Sequence, residues 1–196
     1  GSPAPTRGSL SITLGEPAAL AGVVTDEKGA PLAGVELTAV VHRTLGGEHQ
    51  YLMGHEVLPE LRATTDAAGR FEFDRIPADG KAMLTLEKAG RATTLYPESA
   101  QPTLPAGGDG IEIEMAPGAA VRGVVKRGDT GEPVEGAVVN GFRNWSAPNV
   151  EPVATTDAEG RFTLDGFKAG RVRIAAKLVR PDKPDLLAEL ADVQVA

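Results

Sequence analysis

The chain has 196 residues, enough for one large domain or for two of about 100 residues each. Its net charge of −7, from 20 basic and 27 acidic residues, argues against nucleic acid or an anionic membrane surface as a partner. It contains no cysteine, which excludes disulfides and thiolate chemistry, and no apolar run approaches the length of a membrane span.

Glycine and proline punctuate the whole sequence, with 24 Gly and 15 Pro, and this pattern favours many short strands over long helices. Hydrophobic residues make up 41% of the chain but aromatic residues only 4%, so the core must be largely aliphatic. We therefore expect an all-β fold.

The first residues contain a tag-like start and then a strand-like segment. Gly-Ser without an initiator Met is typical of a cleavage scar, so residues 1–9 are interpreted as tag and linker. Residues 10–14 alternate apolar and polar, and they align with residues 111–115 at an offset of 101. This segment is either an N-terminal element of each repeat or the last strand of a preceding repeat, and we favour the second interpretation.

Two long stretches then repeat each other at an offset of 101 to 102 residues. "AALAGVVTDEKGAPLAGVELTAV" (18–40) matches "AAVRGVVKRGDTGEPVEGAVVNGF" (119–142). In each copy a short strand meets a polar glycine turn, and proline opens the next strand. The three residues 116–118 between the copies are too few for a flexible linker, so we expect the two repeats to have a restricted orientation relative to each other.

The clearest repeat is a hairpin, "TTDAAGRFEF" at 64–73 and "TTDAEGRFTL" at 155–164. Asp66 is expected to accept backbone N–H groups in an Asx turn, and Gly69 to supply a positive φ. Phe71 and Phe73 share one face of the following strand. The predicted core residues of the two copies are Val23, Leu37, Phe71, Phe73 and Leu84, then Val124, Val138, Phe162, Leu164 and Ile174.

The copies differ in length at residues 42–62, an insertion that carries all three histidines. His42, His49 and His55, with nearby glutamates, are the only cluster with zinc-type ligand chemistry, but their spacing matches no compact ligand motif. We interpret the insertion as a solvated loop and predict no metal and no cofactor. Tyr51 lies in the same insertion and is a candidate for ligand or partner binding.

A second candidate is the loop around Trp145, the only tryptophan, which follows Phe142. An exposed aromatic residue there could stack on a sugar ring or a protein partner, or it could close the end of its own sandwich. "RGD" at 127–129 is predicted to be ordinary turn composition rather than an integrin ligand. No nucleophile elbow, Ser-x-x-Lys pair or phosphate loop is present, so we predict no catalytic residues and no enzyme activity.

The motif "GVVTDEKGAPLAGVEL…ATTDAAGRFEFDRIPADG" resembles a carboxypeptidase regulatory-like domain, and "GVVKRGDTGEPVEGAVV…ATTDAEGRFTLDGFKAG" is similar. The resemblance, which extends to collagen-adhesin B-type domains, implies two tandem Ig-like or transthyretin-like antiparallel β-sandwiches of seven strands each. Their expected limits are residues 10–117 and 118–196. Fold alone does not settle function.

The resemblance implies a largely non-catalytic family that is appended to exported enzymes, receptors and surface proteins. We therefore expect a structural spacer and interaction module of a bacterial protein, located extracellularly, at the cell surface or in the periplasm. Its partners would be other domains of its parent chain, or a glycan or surface protein. The alternative is a carbohydrate- or protein-binding adhesion module that uses the 42–62 insertion or the Trp145 loop.

Overall fold

The structure is a computed structural model that describes residues 16–45, 48–53, 61–98, 102–142, 153–179 and 186–195. Within these ranges the regular structure is β-strand, without an α-helix. No helix in the described part of the chain has the length and hydropathy needed to cross a membrane. The predicted all-β class, with antiparallel β-sandwich architecture, is confirmed.

The first nine strands build what we call the N-terminal unit. One sheet has the order β5-β1-β9, and the other has the order β3-β2-β6-β7, with β4 beside β2 and β8 beside β6. The strands are β1 (Pro17–Asp26), β2 (Glu36–Leu45), β3 (Glu48–Met53), β4 (Arg62–Thr64), β5 (Arg70–Pro77), β6 (Lys81–Glu87), β7 (Thr94–Tyr96), β8 (Leu104–Pro105) and β9 (Ile111–Met115). Among the described strand pairs, β1 and β9 are the parallel one, and β9 follows β8, which lies in the other sheet.

The remaining six strands build what we call the C-terminal unit. One sheet pairs β10 with β13, and the other has the order β12-β11-β14-β15. The strands are β10 (Ala119–Val124), β11 (Val138–Phe142), β12 (Val153–Thr155), β13 (Arg161–Phe167), β14 (Gly170–Leu178) and β15 (Leu186–Val195). Gly123 lies opposite Phe162 in β13, as Gly22 lies opposite Phe71 in β5.

Each unit has its own hydrophobic cluster, formed by side chains that alternate inward along the strands. Seven of the ten predicted core residues are buried: Leu37, Phe71, Phe73, Leu84, Phe162, Leu164 and Ile174. The prediction was wrong for Val124 and Val138, which are 49% and 40% exposed, and Val23 is only half-buried. The choice was out of phase by one residue, because Val24 and Val139 take the inward positions and are fully buried.

The 42–62 insertion is not simply a loop, which corrects another expectation. Its first part extends β2 and returns as β3, with Val40 opposite Met53 and Leu45 opposite Glu48. The β-branched and aromatic residues of this stretch favour an extended hairpin. The hairpin therefore lengthens one sheet of the N-terminal unit beyond the positions where β2 pairs with β6.

Candidate functional site

The connection between the two units is held by backbone hydrogen bonds. The short segment Ala116–Gly118 joins β9 to β10 and lies against a loop of the N-terminal unit. The Ala92 N–H donates to Ala116 O at 3.0 Å, and the Gly118 N–H donates to Gly90 O at 3.0 Å. Both ends of the connection are therefore bonded to the same loop, which we call the junction loop (residues 88–93).

The junction loop also contacts the C-terminal unit directly. The Thr93 N–H donates to Gly166 O in β13 at 2.9 Å. A Cβ atom at Gly166 would lie 3.1 Å from Thr93 Oγ1, and φ at this residue is +90°, so glycine suits the position on both grounds. At Gly118 a Cβ atom would lie 2.7 Å from the Arg91 carbonyl, which shows how closely the two backbones approach.

Arg91, in the junction loop, binds two carboxylates at the end of β1 and a backbone carbonyl at the end of β9. Its Nη1 donates to Glu27 Oε2 at 2.7 Å and to Met115 O at 3.3 Å. Its Nη2 lies 3.6 Å from Asp26 Oδ2, and both of these side chains are largely shielded from solvent. Arg91 therefore links the end of β1, the end of β9 and the junction loop.

The acidic partners of Arg91 are stabilised in their charged forms. Backbone N–H groups of Ala30 and Lys28 donate to the Asp26 carboxylate, and with the nearby guanidinium they hold its pKa below the ordinary value. The pKa of Glu27 is also lowered, by a backbone hydrogen bond and by the hydrogen bond from Arg91. Both carboxylates are therefore ionised at neutral pH.

The repeated ten-residue stretch forms the same local structure in both units. Thr65 is buried, and its hydroxyl accepts the Val35 N–H at 2.8 Å and donates to Leu32 O at 2.6 Å. In the C-terminal unit, Thr156 accepts from Ala137 at 2.9 Å and donates to Val134 O at 2.6 Å. In each unit, the threonine at the start of the repeated hairpin is therefore hydrogen-bonded to the turn just before β2 (residues 32–35) or β11 (residues 134–137).

The Asx turns predicted in this stretch are confirmed. Asp66 Oδ1 accepts the N–H groups of Ala68 and Arg70, both at 2.8 Å, and Gly69 has φ of +72°. Asp157 accepts from Glu159 and Arg161 at 3.0 and 2.7 Å, as the repeat requires. These carboxylates are therefore occupied by turn formation.

Of the six predicted site residues, the structure brings His42 and Tyr51 together. They face each other across β2 and β3, with ring centroids 4.8 Å apart and an interplanar angle of 35°. Tyr51 is 51% exposed, so its ring presents an aromatic surface on the hairpin.

The other predicted site residues cannot be placed in this way. For His49 the structure describes only the backbone, in β3, and for Phe142 only the backbone at the end of β11. His55 and Trp145 lie outside the described residues. In the part of the chain that the structure describes, no group of three His, Cys, Asp or Glu residues could hold a metal ion.

The Arg-Gly-Asp stretch is closed on itself. Arg127 Nε and Nη2 donate to the two carboxylate oxygens of Asp129 at 3.0 and 2.8 Å, a bidentate ion pair. The hydrogen bond from Arg127 lowers the pKa of Asp129, and the carboxylate in turn raises the pKa of Arg127. An integrin-type ligand needs these two charges to point apart, so the geometry favours the turn interpretation.

Comparison with known proteins supplies the family. Residues 19–109 match the family model of the carboxypeptidase regulatory-like domain. This segment is a carboxypeptidase regulatory-like domain. The match runs from β1 through β8 and includes the Thr65–Phe73 hairpin, so the family resemblance predicted from the sequence is confirmed.

Several solved structures are similar to this chain in fold. The streptococcal ancillary pilin is 15% identical with a TM-score of 0.30, and the match covers 89% of this chain and 58% of the pilin. The shaft pilin SpaA of Lactobacillus rhamnosus GG is 15% identical with a TM-score of 0.33, covering 91% and 93%. The minor pilin of Streptococcus agalactiae is 15% identical with a TM-score of 0.33, covering 90% of each chain. No curated protein sequence matches the chain significantly.

Sequence reasoning missed the two residues that organise the carboxypeptidase regulatory-like domain and its junction. The repetition of Thr65 as Thr156 was a signal that the hydroxyl has a role. Arg91 carried no such signal, because its partners Glu27 and Met115 are distant in sequence. Only the fold brings them together.

Proposed function

We propose that this chain is a pair of tandem carboxypeptidase regulatory-like domains that serve as a semi-rigid, non-catalytic spacer in a bacterial exported or cell-surface protein. The domains comprise residues 10–117 and 118–196, and their natural partners are other domains of the parent chain. The observation that carries this proposal is the junction, where hydrogen bonds and ion pairs replace a free linker.

The repetition of one geometry in both units supports the tandem arrangement. The hydroxyls of Thr65 and Thr156 make equivalent pairs of hydrogen bonds, with lengths that agree within 0.1 Å. Gly69 and Gly160 have φ of +72° and +73°, and a Cβ atom at either would lie 2.5 Å from a backbone oxygen, that of Val24 in β1 or of Val125 directly after β10. One sequence pattern therefore gives one local structure twice.

The bonds around the junction loop support a restricted orientation. Ala92 and Gly118 fix the connecting segment, Thr93 bonds to Gly166, and Arg91 adds its ion pairs. A flexible linker would instead leave its backbone groups to water. Movement between the units must break the Thr93–Gly166 bond, and the Arg91 ion pairs hold the junction loop in place on the N-terminal unit, so the units should hold one main orientation.

The state of the polar groups supports a non-catalytic role. Among the described residues, every buried side-chain nitrogen and oxygen has a hydrogen-bond partner. Asp66, Asp157 and Asp129 are held by turns or by a neighbouring arginine. Catalytic sites instead gather polar groups with perturbed pKa values in a cleft.

Spin-label distances test the spacer proposal. Because the chain has no cysteine, Glu72→Cys on β5 and Thr163→Cys on β13 give one exposed label site in each unit. We expect a narrow distance distribution that broadens when Arg91→Gln removes the ion pairs. The matched control, Arg75→Gln, removes an exposed arginine whose nearest acidic partner is the adjacent Asp74, and it should leave the distribution unchanged. A broad distribution in the parent chain would contradict the proposal.

A second candidate function is binding through the β2–β3 hairpin, which the exposed ring of Tyr51 favours. Aromatic residues at such positions stack on sugars and anchor protein contacts. The Trp145 loop, with Phe142 before it, is part of the same proposal.

Thermal melts with polysaccharides, Ca²⁺ and Zn²⁺, and with a chelator as control, test this candidate. A ligand at one hundred times its dissociation constant adds about 2.7 kcal/mol, which raises the melting temperature of a domain near 100 residues by roughly 10 °C or more. Tyr51→Ala or Trp145→Ala should abolish such a shift without changing the melt of the free protein, whereas Thr44→Ala on the same hairpin should not. If none of these ligands raises the melting temperature, the spacer role remains as the proposed function.

A further inference from the structure

The chain enters the N-terminal unit through β1 and leaves it through β9, and these two strands are neighbours. They pair in parallel, from Gly22 opposite Ile111 to Asp26 opposite Met115. In a parallel pair both strands run in the same direction, so the entry into β1 and the exit from β9 lie at opposite ends of the pair. Tension along the chain therefore pulls the two strands in opposite directions along their own axes.

Backbone hydrogen bonds show which groups of β1 face β9. The Val24 N–H donates to Gly69 O at 2.8 Å, and Val24 O accepts the Leu32 N–H at 2.9 Å, so the backbone groups of Val24 face away from β9. Because these groups alternate along a strand, the N–H and C=O of Val23 and Thr25 face β9. The bonds between the two strands therefore lie across the direction in which tension would slide them.

The contact with β1 begins before β9 itself. The Ala21 N–H donates to Gly108 O at 3.0 Å, and the Gly107 N–H donates to Ala19 O at 2.8 Å. β1 is thus bonded to the segment 107–115 over most of its length, while β5 pairs with its other edge. A sliding motion of β1 must break bonds on both of its edges at once.

Side chains of both strands anchor the pair in the core. Leu20 and Val24 of β1 and Ile113 and Met115 of β9 are buried in the same hydrophobic cluster. A shift of one residue would turn such side chains toward the opposite face of the sheet, which exposes apolar surface to water. The strands therefore cannot slide past each other in small steps at low cost.

Arg91 ties the two strands together at the end where the chain leaves β9. Its guanidinium donates to Glu27, directly after β1, and to Met115 O at the end of β9. The next residue of the junction loop, Ala92, bonds to Ala116 in the segment that follows β9. Tension that arrives from the C-terminal unit therefore loads the junction loop as well as β9.

We infer that the N-terminal unit bears tension along the chain, and that the parallel pair of β1 and β9, tied by Arg91, is the clamp that resists it. Force along the strands is shared by all the bonds of the clamp, which must break together. Force across the strands would instead break them one after another from one end. Resistance to forced unfolding is set by the barrier to unfolding rather than by equilibrium stability, so the direction of the force matters.

Single-molecule pulling of the whole chain tests the clamp, because a chain without cysteine lets two introduced cysteines define the direction of the force. Glu16→Cys with Pro117→Cys attaches the handles at opposite ends of the clamp and pulls along the strands. Lys28→Cys with Pro117→Cys attaches both handles at the same end and peels β9 from β1. All three positions are exposed, and the C-terminal unit lies outside both handle pairs, so the N-terminal unit alone is loaded.

At one loading rate, the unfolding force along the strands should exceed the peeling force by roughly twofold or more, because the bonds of the clamp are loaded together. The length released, roughly 3.3–3.6 Å for each residue between the handles, identifies unfolding of the whole unit. Both double variants should have the same melting temperature, so the difference in force reports direction and not stability. Equal forces in the two directions, or a larger peeling force, would overturn the inference.

Arg91→Gln should lower the unfolding force along the strands, whereas Arg75→Gln, which removes an exposed arginine of β5, should leave it unchanged. An unchanged force in Arg91→Gln would overturn the part of Arg91 in the clamp. The inference rests on the proposed spacer role, because a spacer within a longer chain is pulled through both of its ends, but the two can fail separately. A narrow spin-label distribution with equal forces would overturn the clamp and leave the spacer, whereas a broad distribution with unequal forces would contradict the spacer and leave the clamp.

Discussion

The Thr65 hydroxyl gives the sharpest test of how the repeated sequence holds each unit together. It accepts a hydrogen bond from the Val35 N–H and donates one to Leu32 O, and all three residues are buried. Thr65→Val keeps the shape of the side chain but removes both bonds. The variant therefore isolates hydrogen bonding from packing.

The expected cost follows from two buried backbone groups that lose their partner. Each such group costs about 1–3 kcal/mol, with the carbonyl at the lower end, so unfolding should become easier by roughly 2–4 kcal/mol. For a unit of about 100 residues this corresponds to a melting temperature lower by roughly 10–25 °C.

Calorimetry measures the loss, and hydrogen exchange of the Val35 amide locates it. Thr64→Val is the matched control, because Thr64 is the exposed neighbour on β4 and its replacement should change stability little. Thr156→Val and Thr155→Val repeat the comparison in the C-terminal unit, where Thr156 is buried and Thr155 exposed. If Thr65→Val and Thr64→Val melt alike, the hydroxyl does not stabilise the unit and the reasoning is refuted.

Three further predictions concern a turn, an ion pair and the junction. Gly69→Ala should destabilise the protein more than Gly29→Ala. Both glycines have positive φ, which costs an alanine about 1–2 kcal/mol, but of the two only Gly69 would place the Cβ atom 2.5 Å from a backbone oxygen. Equal melting temperatures for the two variants would contradict this. NMR titration should find the pKa of Asp129 below its ordinary value, returning toward it in Arg127→Gln, and an unmoved midpoint would argue against the bidentate pair. Arg91→Gln should lower the melting temperature at neutral pH, and progressively less below about pH 4. Its acidic partners have lowered pKa values in the folded state, so the stabilisation they provide is lost as pH falls. A difference in melting temperature that does not depend on pH would be inconsistent with ion pairing.

The parts of the fold that depend on neighbouring residues could be predicted from the sequence. Asp66 and Gly69 form their turn because a carboxylate reaches amides two and four residues on and glycine accepts a positive φ. Phe71 and Phe73 are buried because alternation along a strand is a local rule. The family resemblance rested on these same residues.

The phase of a strand could not be fixed where several apolar residues follow each other. Val23 and Val24 are equally apolar, as are Val138 and Val139, so alternation alone did not reveal which one faces the core. Position in the sheet decides it, because β5 sets the register of β1, and β12 and β14 set the register of β11.

Contacts between distant parts of the chain were beyond the sequence. Arg91 meets Glu27, which lies 64 positions earlier, only because β1 and the junction loop end at the same side of the unit. The parallel entry of β9 beside β1 likewise depends on which strand crosses between sheets. Neither is encoded in a local pattern.

The orientation of the two units is the central claim, and ¹⁵N relaxation of the whole chain tests it most directly. If the junction restrains the units, amides in β5 and in β13 will report one common rotational tumbling, that of a 20.3 kDa body. Two separate and faster correlation times, one for each unit, would show that the junction does not hold them and would contradict the proposed spacer.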